Sequence, residues 1–320
     1  MTDQTKARWM LLMACVLWGV SFPAVRAICL LQEQLIPDAS TWFVTGVTVT
    51  CRFALSSVLM LLIMRTQLKT TTRKEMAQGI GLGVFGGFAL LLQADGLAYT
   101  AASTSAFLTQ CSCLLLPLMV SLRDRRWPPW TTWPATLCVT LGIAILADVH
   151  TTHLQLGRGE VETLLSTVLF AFQILLLEKP SHAHNRTAHV TTLMFVTMTC
   201  CALPVALFHT HSLMHWKIML TSPGIVFLIV ILVLLCTMVA SMAMNAWQRH
   251  IPSTQAVLIY CSEPVFAFLF AMFLPLWFST WFAIDYPNET FSKNMMIGGG
   301  LIILANISEH LGNFRLFLKR

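Results

Sequence analysis

The stretch Ser253-Thr254-Gln255-Ala256-Val257-Leu258-Ile259-Tyr260-Cys261-Ser262-Glu263-Pro264 opens an apolar run that continues to about Pro275. At about 1.5 Å per helical residue, Glu263 falls near the middle of a hydrocarbon core about 30 Å thick. An ionisable group is costly at that depth, so Glu263 marks a functional position by default. The same pattern occurs half a chain earlier. A shift of 150 residues lays Ser103-Thr104-Ser105-Ala106-Phe107-Leu108-Thr109-Gln110-Cys111-Ser112 on Ser253 to Ser262, with six of ten positions identical. Gly142 to Ala147 matches Gly300 to Ala305, and Val16-Leu17-Trp18 matches Val168-Leu169-Phe170 more weakly. No one match is decisive, but three in the same order argue for two halves, 1–150 and 151–320.

Composition sets the environment. Of 320 residues, 56% are hydrophobic and 11% charged, and the mean hydropathy is +0.72. Soluble chains carry about 25% charged residues, so this balance belongs to a membrane protein. The net charge of +6 does not point to nucleic acid, because the basic residues fall in short segments between apolar runs, where they orient a membrane protein. All ten cysteines lie within apolar runs and read as small apolar residues rather than disulfide partners.

Ten spans are expected, at 9–30, 42–64, 76–94, 101–121, 131–148, 160–178, 189–208, 224–246, 254–276 and 295–313. The first resembles a signal peptide, with Lys6 and Arg8 ahead of it, but no clean small-x-small site follows, and it reads as a retained helix. With an inside N-terminus, fifteen Lys and Arg fall in inner segments and three (Arg158, Lys217, Lys293) in outer ones. This bias expects both termini in the cytoplasm of an inner (plasma) membrane. Five spans per half is an odd number, so the second half enters the membrane inverted. The expected fold is therefore all-α and integral to the membrane, with ten transmembrane helices in two inverted-topology five-helix repeats.

The residues also resemble a known family, the EamA-type members of the drug/metabolite transporter superfamily. The resemblance lies in Leu17-Trp18-Gly19-Val20-Ser21-Phe22-Pro23, Arg52-Phe53-Ala54, Tyr99-Thr100-Ala101-Ala102, Cys261-Ser262-Glu263-Pro264-Val265-Phe266-Ala267 and Gly298 to Ile303. It covers nearly the whole chain. It implies a ten-helix carrier of amino acids or related metabolites, with export the expected direction, working by alternating access. Two departures concern the substrate more than the fold: Cys111-Ser112-Cys113 replaces a frequent Ser-Pro pair, and the loop from Gln32 to Trp42 is long.

Seven residues are candidates for binding substrate. Arg52, at mid-depth of the second span, suits a substrate carboxylate or phosphate; alternatively it pairs with Glu263 or ties off helix-end carbonyls. Glu263 is either a carboxylate that loads and releases a proton or a structural acceptor beside Pro264. The resemblance implies the second, since the Glu-Pro pair recurs among carriers of unlike substrates. Gln110 and Tyr260 are repeat equivalents suited to a cavity wall or to interhelical hydrogen bonds. Gln93 and Gln173 lie nearer the span ends, and Trp18 can stack on a ligand or pack. Arg26 is expected to snorkel to the outer surface.

Other classes have less behind them. His182, His184, His209, His211 and His215 have spacings that can bind a metal, with His211 and His215 on one helix face, which makes a divalent-metal carrier an alternative. Exposed loop histidines are the plainer reading. There is no phosphate-binding Gly-x-x-x-x-Gly-Lys loop, and no catalytic triad has motif context. A non-transporting receptor or enzyme is the remaining alternative. The expected partners are a small-molecule substrate, the lipid bilayer and protons as a candidate coupling ion, without cofactor, resident metal or nucleic acid.

Overall fold

A computed structural model describes residues 3–65, 68–100, 102–125, 132–146 and 157–290, with 293, 296–301 and 304 beyond them. Every long element among these is helical. α1 (Asp3–Leu35), α2 (Thr41–Met64) and α3 (Arg73–Gly96) are followed by α4 (Ala102–Thr109), α5 (Ser112–Asp124) and α6 (Thr132–Leu146). Then come α7 (Arg158–Glu178), α8 (Thr187–Phe208), α9 (Leu213–Thr221) and α10 (Pro223–Ile231). A π-helical segment, Leu232–Val239, joins α10 to α11 (Ala240–Trp247), and α12 (Ser253–Tyr260), α13 (Glu263–Ala271) and α14 (Leu274–Phe282) complete the series.

Seven of these stretches are long and apolar enough to cross a membrane: α1, α2, α3, α7, α8, Pro223–His250 and Ser253–Ala271. Their apolar runs make burial of both backbone and side chains favourable only in lipid or against other helices. The starts are locally encoded. Ser40 accepts from the Phe43 N–H at 3.2 Å, and Thr72 with Glu75 closes a reciprocal capping box on α3.

The span expected at 101–121 is two helices, α4 and α5, parted at Gln110–Cys111. Here the Thr109 hydroxyl donates to the Ser105 carbonyl at 2.8 Å, and the Cys111 N–H turns back to Leu108 at 3.0 Å. That tightens the turn and ends the α pattern without a proline. The span at 254–276 breaks one residue later by the repeat alignment, at Cys261–Ser262, where the Ser262 N–H and hydroxyl both donate to Ile259 O. Pro264 follows and lacks the N–H that would continue α12. The span expected at 295–313 lies mostly outside the described residues.

The broken helices cross antiparallel: α4 packs on α13, and α5 packs on α12. Elsewhere α2 packs on α8, α3 on α7 and α8, and α1 on α10, the π segment, α11 and α13. Along α3, Gly79, Gly83 and Gly87 make a stripe against α8, where a Cβ on Gly83 would meet Thr197 Cβ at 2.4 Å and Met194 O at 2.8 Å. Small residues here let two backbones approach and exchange dispersion contacts that lipid cannot supply. Phe43, Phe53 and Phe195 are among the large side chains fully buried between these helices.

Several expectations need correction. Arg26 does not snorkel: its Nη1 donates to Leu97 O and Ala98 O, 3.0 Å each, satisfying carbonyls at the end of α3. The histidines are not uniformly exposed, since His182, His189 and His215 are buried. His215 lies in α9, stands edge-on to Phe43 and contacts Asp38 at 3.3 Å, while His211 precedes that helix, so the two share no helix face. The loop after the first span is shorter than expected, because α1 continues to Leu35 and α2 starts at Thr41. Among the described residues, nine of the ten cysteines are seen to form no disulfide.

Candidate functional site

One cavity of about 1130 Å³, its open mouth included, lies between the crossing helices. Trp18 reaches it from α1, Arg52 from α2, Gln93 from α3, Gln110 from the α4–α5 break, Gln173 from α7, Tyr260 from the end of α12 and Glu263 from the start of α13. All seven residues singled out from sequence thus line one cavity. Apolar and aromatic groups such as Phe22, Phe53, Phe170 and Met198 fill the space between them, the composition usual for a small-molecule site.

Arg52 is 6% exposed and has no ion pair with Glu263 among the described residues. Instead its Nε donates to Thr237 Oγ1, its Nη2 to Cys236 O at 3.3 Å, and its Nη1 to Ser21 Oγ at 3.4 Å. The guanidinium also lies 5.5 Å from the Phe53 ring centroid. A guanidinium has five N–H donors, so these three bonds leave two. Its charge therefore faces the cavity with neutral partners and spare donors.

The acceptor for Arg52 depends on the π segment. An i→i+5 stretch disturbs the α ladder and frees carbonyls, which is why such segments mark functional sites. Cys236 O accepts from Arg52 and also from Trp18 Nε1 at 3.0 Å. Thr237 Oγ1 in turn donates to Leu232 O at 2.8 Å, which fixes the hydroxyl as the acceptor for Arg52. Trp18 stands edge-on to Tyr260, with centroids 5.7 Å apart. The Tyr260 hydroxyl donates to Gln248 Oε1 at 2.6 Å, and Gln248 is anchored to Ile174 O at 3.0 Å.

Glu263 occupies the first turn of α13 beside Pro264, where the helix N-terminus favours an anion. Gln110 Nε2 donates to Glu263 Oε2 at 3.4 Å. Gln110 Oε1 and the Thr48 hydroxyl, both buried in the cavity wall, find no partner among the described residues. Buried unpartnered polar atoms are costly, and here they stand where a ligand would sit. Gln93 and Gln173 are more structural: one donates to Thr109 Oγ1 at 2.8 Å, the other to Leu82 O at 3.2 Å.

Ser21, Thr48, Cys236, Thr237 and Gln248 were not singled out from the sequence. Ser21 lies within the quoted Trp-Gly motif, and Thr48 is one helical turn before Arg52, so spacing could have found both. Leu232-Val233-Leu234-Leu235-Cys236-Thr237-Met238-Val239 carries no signal for a π segment.

The long apolar helices and the cavity between them describe a multi-pass helical membrane protein with polar groups at its centre. Residues 5–147 match the model of the EamA-like transporter family. No curated protein matches the chain. The chain resembles a solved structure described only as "Crystal structure of protein", with 15% identity, a TM-score of 0.63, and coverage of 98% of this chain and 99% of that one. That likeness concerns the fold.

Proposed function

We propose that the chain is a secondary transporter of small polar or zwitterionic metabolites, amino acids or related compounds, with export as the expected direction. Ten helices in two inverted halves, 1–150 and 151–320, would rock around the cavity, with both termini in the cytoplasm of the inner (plasma) membrane. The packing supports this reading. The duplicated broken helices cross antiparallel, and the pairing of α1 with the α10–α11 helix has its counterpart in that of α3 with α7. Substrate would favour the closed state only by its differential affinity for it.

The observation that carries the substrate class is the separation of charge. Arg52, with two unspent donors and no counter-ion among the described residues, suits a carboxylate or phosphate. Across the cavity, Glu263 and the open acceptor Gln110 Oε1 suit an ammonium group. The divalent-metal alternative has little footing: among the described residues no group of three His, Cys, Asp or Glu assembles.

The test is flux in proteoliposomes after a thermal-shift screen of metabolites on the purified protein. Substrate-dependent flux that falls in both Arg52→Ala and Glu263→Gln supports the reading. Flux and pH dependence unchanged in both variants would overturn the site, and binding without flux would favour a receptor.

A further inference from the structure

The helix that follows α13 does not continue its span. α13 ends at Ala271, and α14 runs over Leu274–Phe282. Nine residues make about 14 Å of helix, half or less of a hydrocarbon core about 30 Å thick.

Both ends of α14 lie at one end of the bundle. Ser253, which opens α12, bonds Glu178 at the finish of α7 at 2.6 Å, whereas Arg158 at the start of α7 lies over Trp42, next to the α1–α2 turn. Ala271, at the far end of the Ser253–Ala271 span, is therefore on the side of that turn. The chain beyond α14 comes back to the same place, where the Glu289 N–H donates to Ala271 O at 2.9 Å. At the finish of α14, a Cβ on Gly224 would lie 2.9 Å from the Phe282 ring and 3.2 Å from Leu31 Cδ1. Gln34 Nε2 donates to Ala283 O at 3.2 Å. Leu31 and Gln34 are near the end of α1, and Gly224 is the second residue of α10. A helix with both ends at one end of the bundle runs across it.

One face of α14 is packed and the other is bare. Phe278 is buried and stacks on Phe282, with centroids 6.1 Å apart. Phe273, Leu276, Trp277 and Trp281 are each 55–60% exposed, and the two indoles stack at 6.2 Å. Trp281 stands edge-on to Phe227 of α10 at 5.8 Å. Phe227, Val226, Val230 and Leu234 are exposed along the Pro223–His250 span, a flank that suits lipid. The bare face of α14 is continuous with that flank.

The backbone is satisfied locally. Pro275 has no N–H, and the Leu276 N–H donates to Asn288 Oδ1 at 2.8 Å. Ser279 Oγ donates to Tyr286 O at 2.8 Å and accepts from the Tyr286 N–H at 3.1 Å. These bonds remove polar groups that would be costly near hydrocarbon.

We propose that α14 lies flat in the membrane interface, with Phe273, Leu276, Trp277 and Trp281 seated between lipid headgroups and upper acyl chains. Indoles favour that layer because they pair an apolar body with one N–H donor. α14 carries no charged residue, so it offers nothing to complement a charged protein partner. Seated there, it anchors the end of α13, whose first turn carries Glu263. The proposal rests on the membrane-spanning helices and not on the transport reading.

The test is tryptophan emission of the full-length protein in nanodiscs of phosphatidylcholine brominated near the headgroup end or near the methyl end of its acyl chains. The signal of α14 is the difference between wild type and Trp277→Phe/Trp281→Phe, in which both rings stay aromatic and apolar. That difference should lose more intensity to the shallow bromines than to the deep ones, and little to iodide in the water. Stronger loss to the deep bromines would make α14 part of a span. Loss to iodide alone would make its face water-exposed, and loss to neither would show it covered by protein, as by a second copy of the chain. Each of these three results would overturn the proposal. Should the double variant fail to assemble, Trp277→Phe and Trp281→Phe read the same difference one ring at a time. No substrate is involved, so this result and that of the flux assay stand or fall separately.

Discussion

Arg52 is the residue on which the proposed chemistry turns. Truncating one partner of a buried, hydrogen-bonded charge costs roughly 2–5 kcal/mol, so Arg52→Ala is expected to lower substrate affinity about 30-fold or more, measured by titration of the purified protein. Arg52→Lys should recover little, because an ammonium cannot reach Thr237, Cys236 O and a ligand at once. Thr237→Val is the subtler variant. It keeps the shape but removes the acceptor for Arg52 Nε, so KM should rise several-fold with the fold intact by circular dichroism. At Glu263, substitution by Gln keeps a hydrogen-bonding partner for Gln110 while removing the charge. Cationic or zwitterionic substrates should then lose at least tenfold in flux, and purely anionic ones much less.

Among the elements, α3 is the most constrained by packing. Gly83→Leu would force α3 away from Thr197 and Met194 on α8, and overpacking of this kind costs about 1–3 kcal/mol. A lower melting temperature in detergent is the expected result. Gly19 has the same role for α1: its Cβ would lie 2.8 Å from Phe266 Cβ and 2.9 Å from Ala267 N. The Trp-Gly and Glu-Pro-Val-Phe-Ala motifs are therefore one contact, which explains why both stood out in the sequence. Pro264 marked a bend, since proline cannot continue the ladder, but the α12–α13 break was not expected, because the sequence read 254–276 as one span. The break at Gln110–Cys111 was not legible, because a threonine back-bond and a tight turn produce it without proline. Arg26 was misplaced for a related reason: depth along a span is readable from sequence, but the carbonyls of a neighbouring helix end are not.

Across the whole molecule, five of the seven cavity-lining candidates, Arg52, Glu263, Gln93, Gln110 and Gln173, stood out because charge and amide groups are rare inside apolar spans, whereas their partners did not. Neutral hydroxyls and a freed carbonyl carry no such contrast. At one end of the helices, Arg186 brackets the buried Glu75 with bonds from Nε at 2.7 Å and Nη2 at 2.9 Å, and also reaches Thr70. Removing Arg186 strands a buried carboxylate, so Arg186→Ala should lower the melting temperature, and Glu75→Gln in the same chain should restore part of the loss. This end holds Arg186 and Arg249, while Asp38, His209 and His215 lie at the other. A single cysteine at Lys69 should react with an impermeant maleimide only from the cytoplasm, and one at His211 only from outside; the reverse pattern would invert the proposed topology.

The π segment behaves like a dislocation in a crystal: it carries a surplus residue that sets the phase of everything after it. In an α-helix each residue turns the chain by about 100°. Annealing the segment to α while keeping that residue would turn α11 by roughly this angle and carry Ser241 and Met244 off the cavity wall they now line. The rotation would also withdraw Cys236 O from both Trp18 and Arg52. One surplus residue, in the segment that also accepts hydrogen bonds from Arg52, thus sets the rotational phase of an entire wall of the cavity.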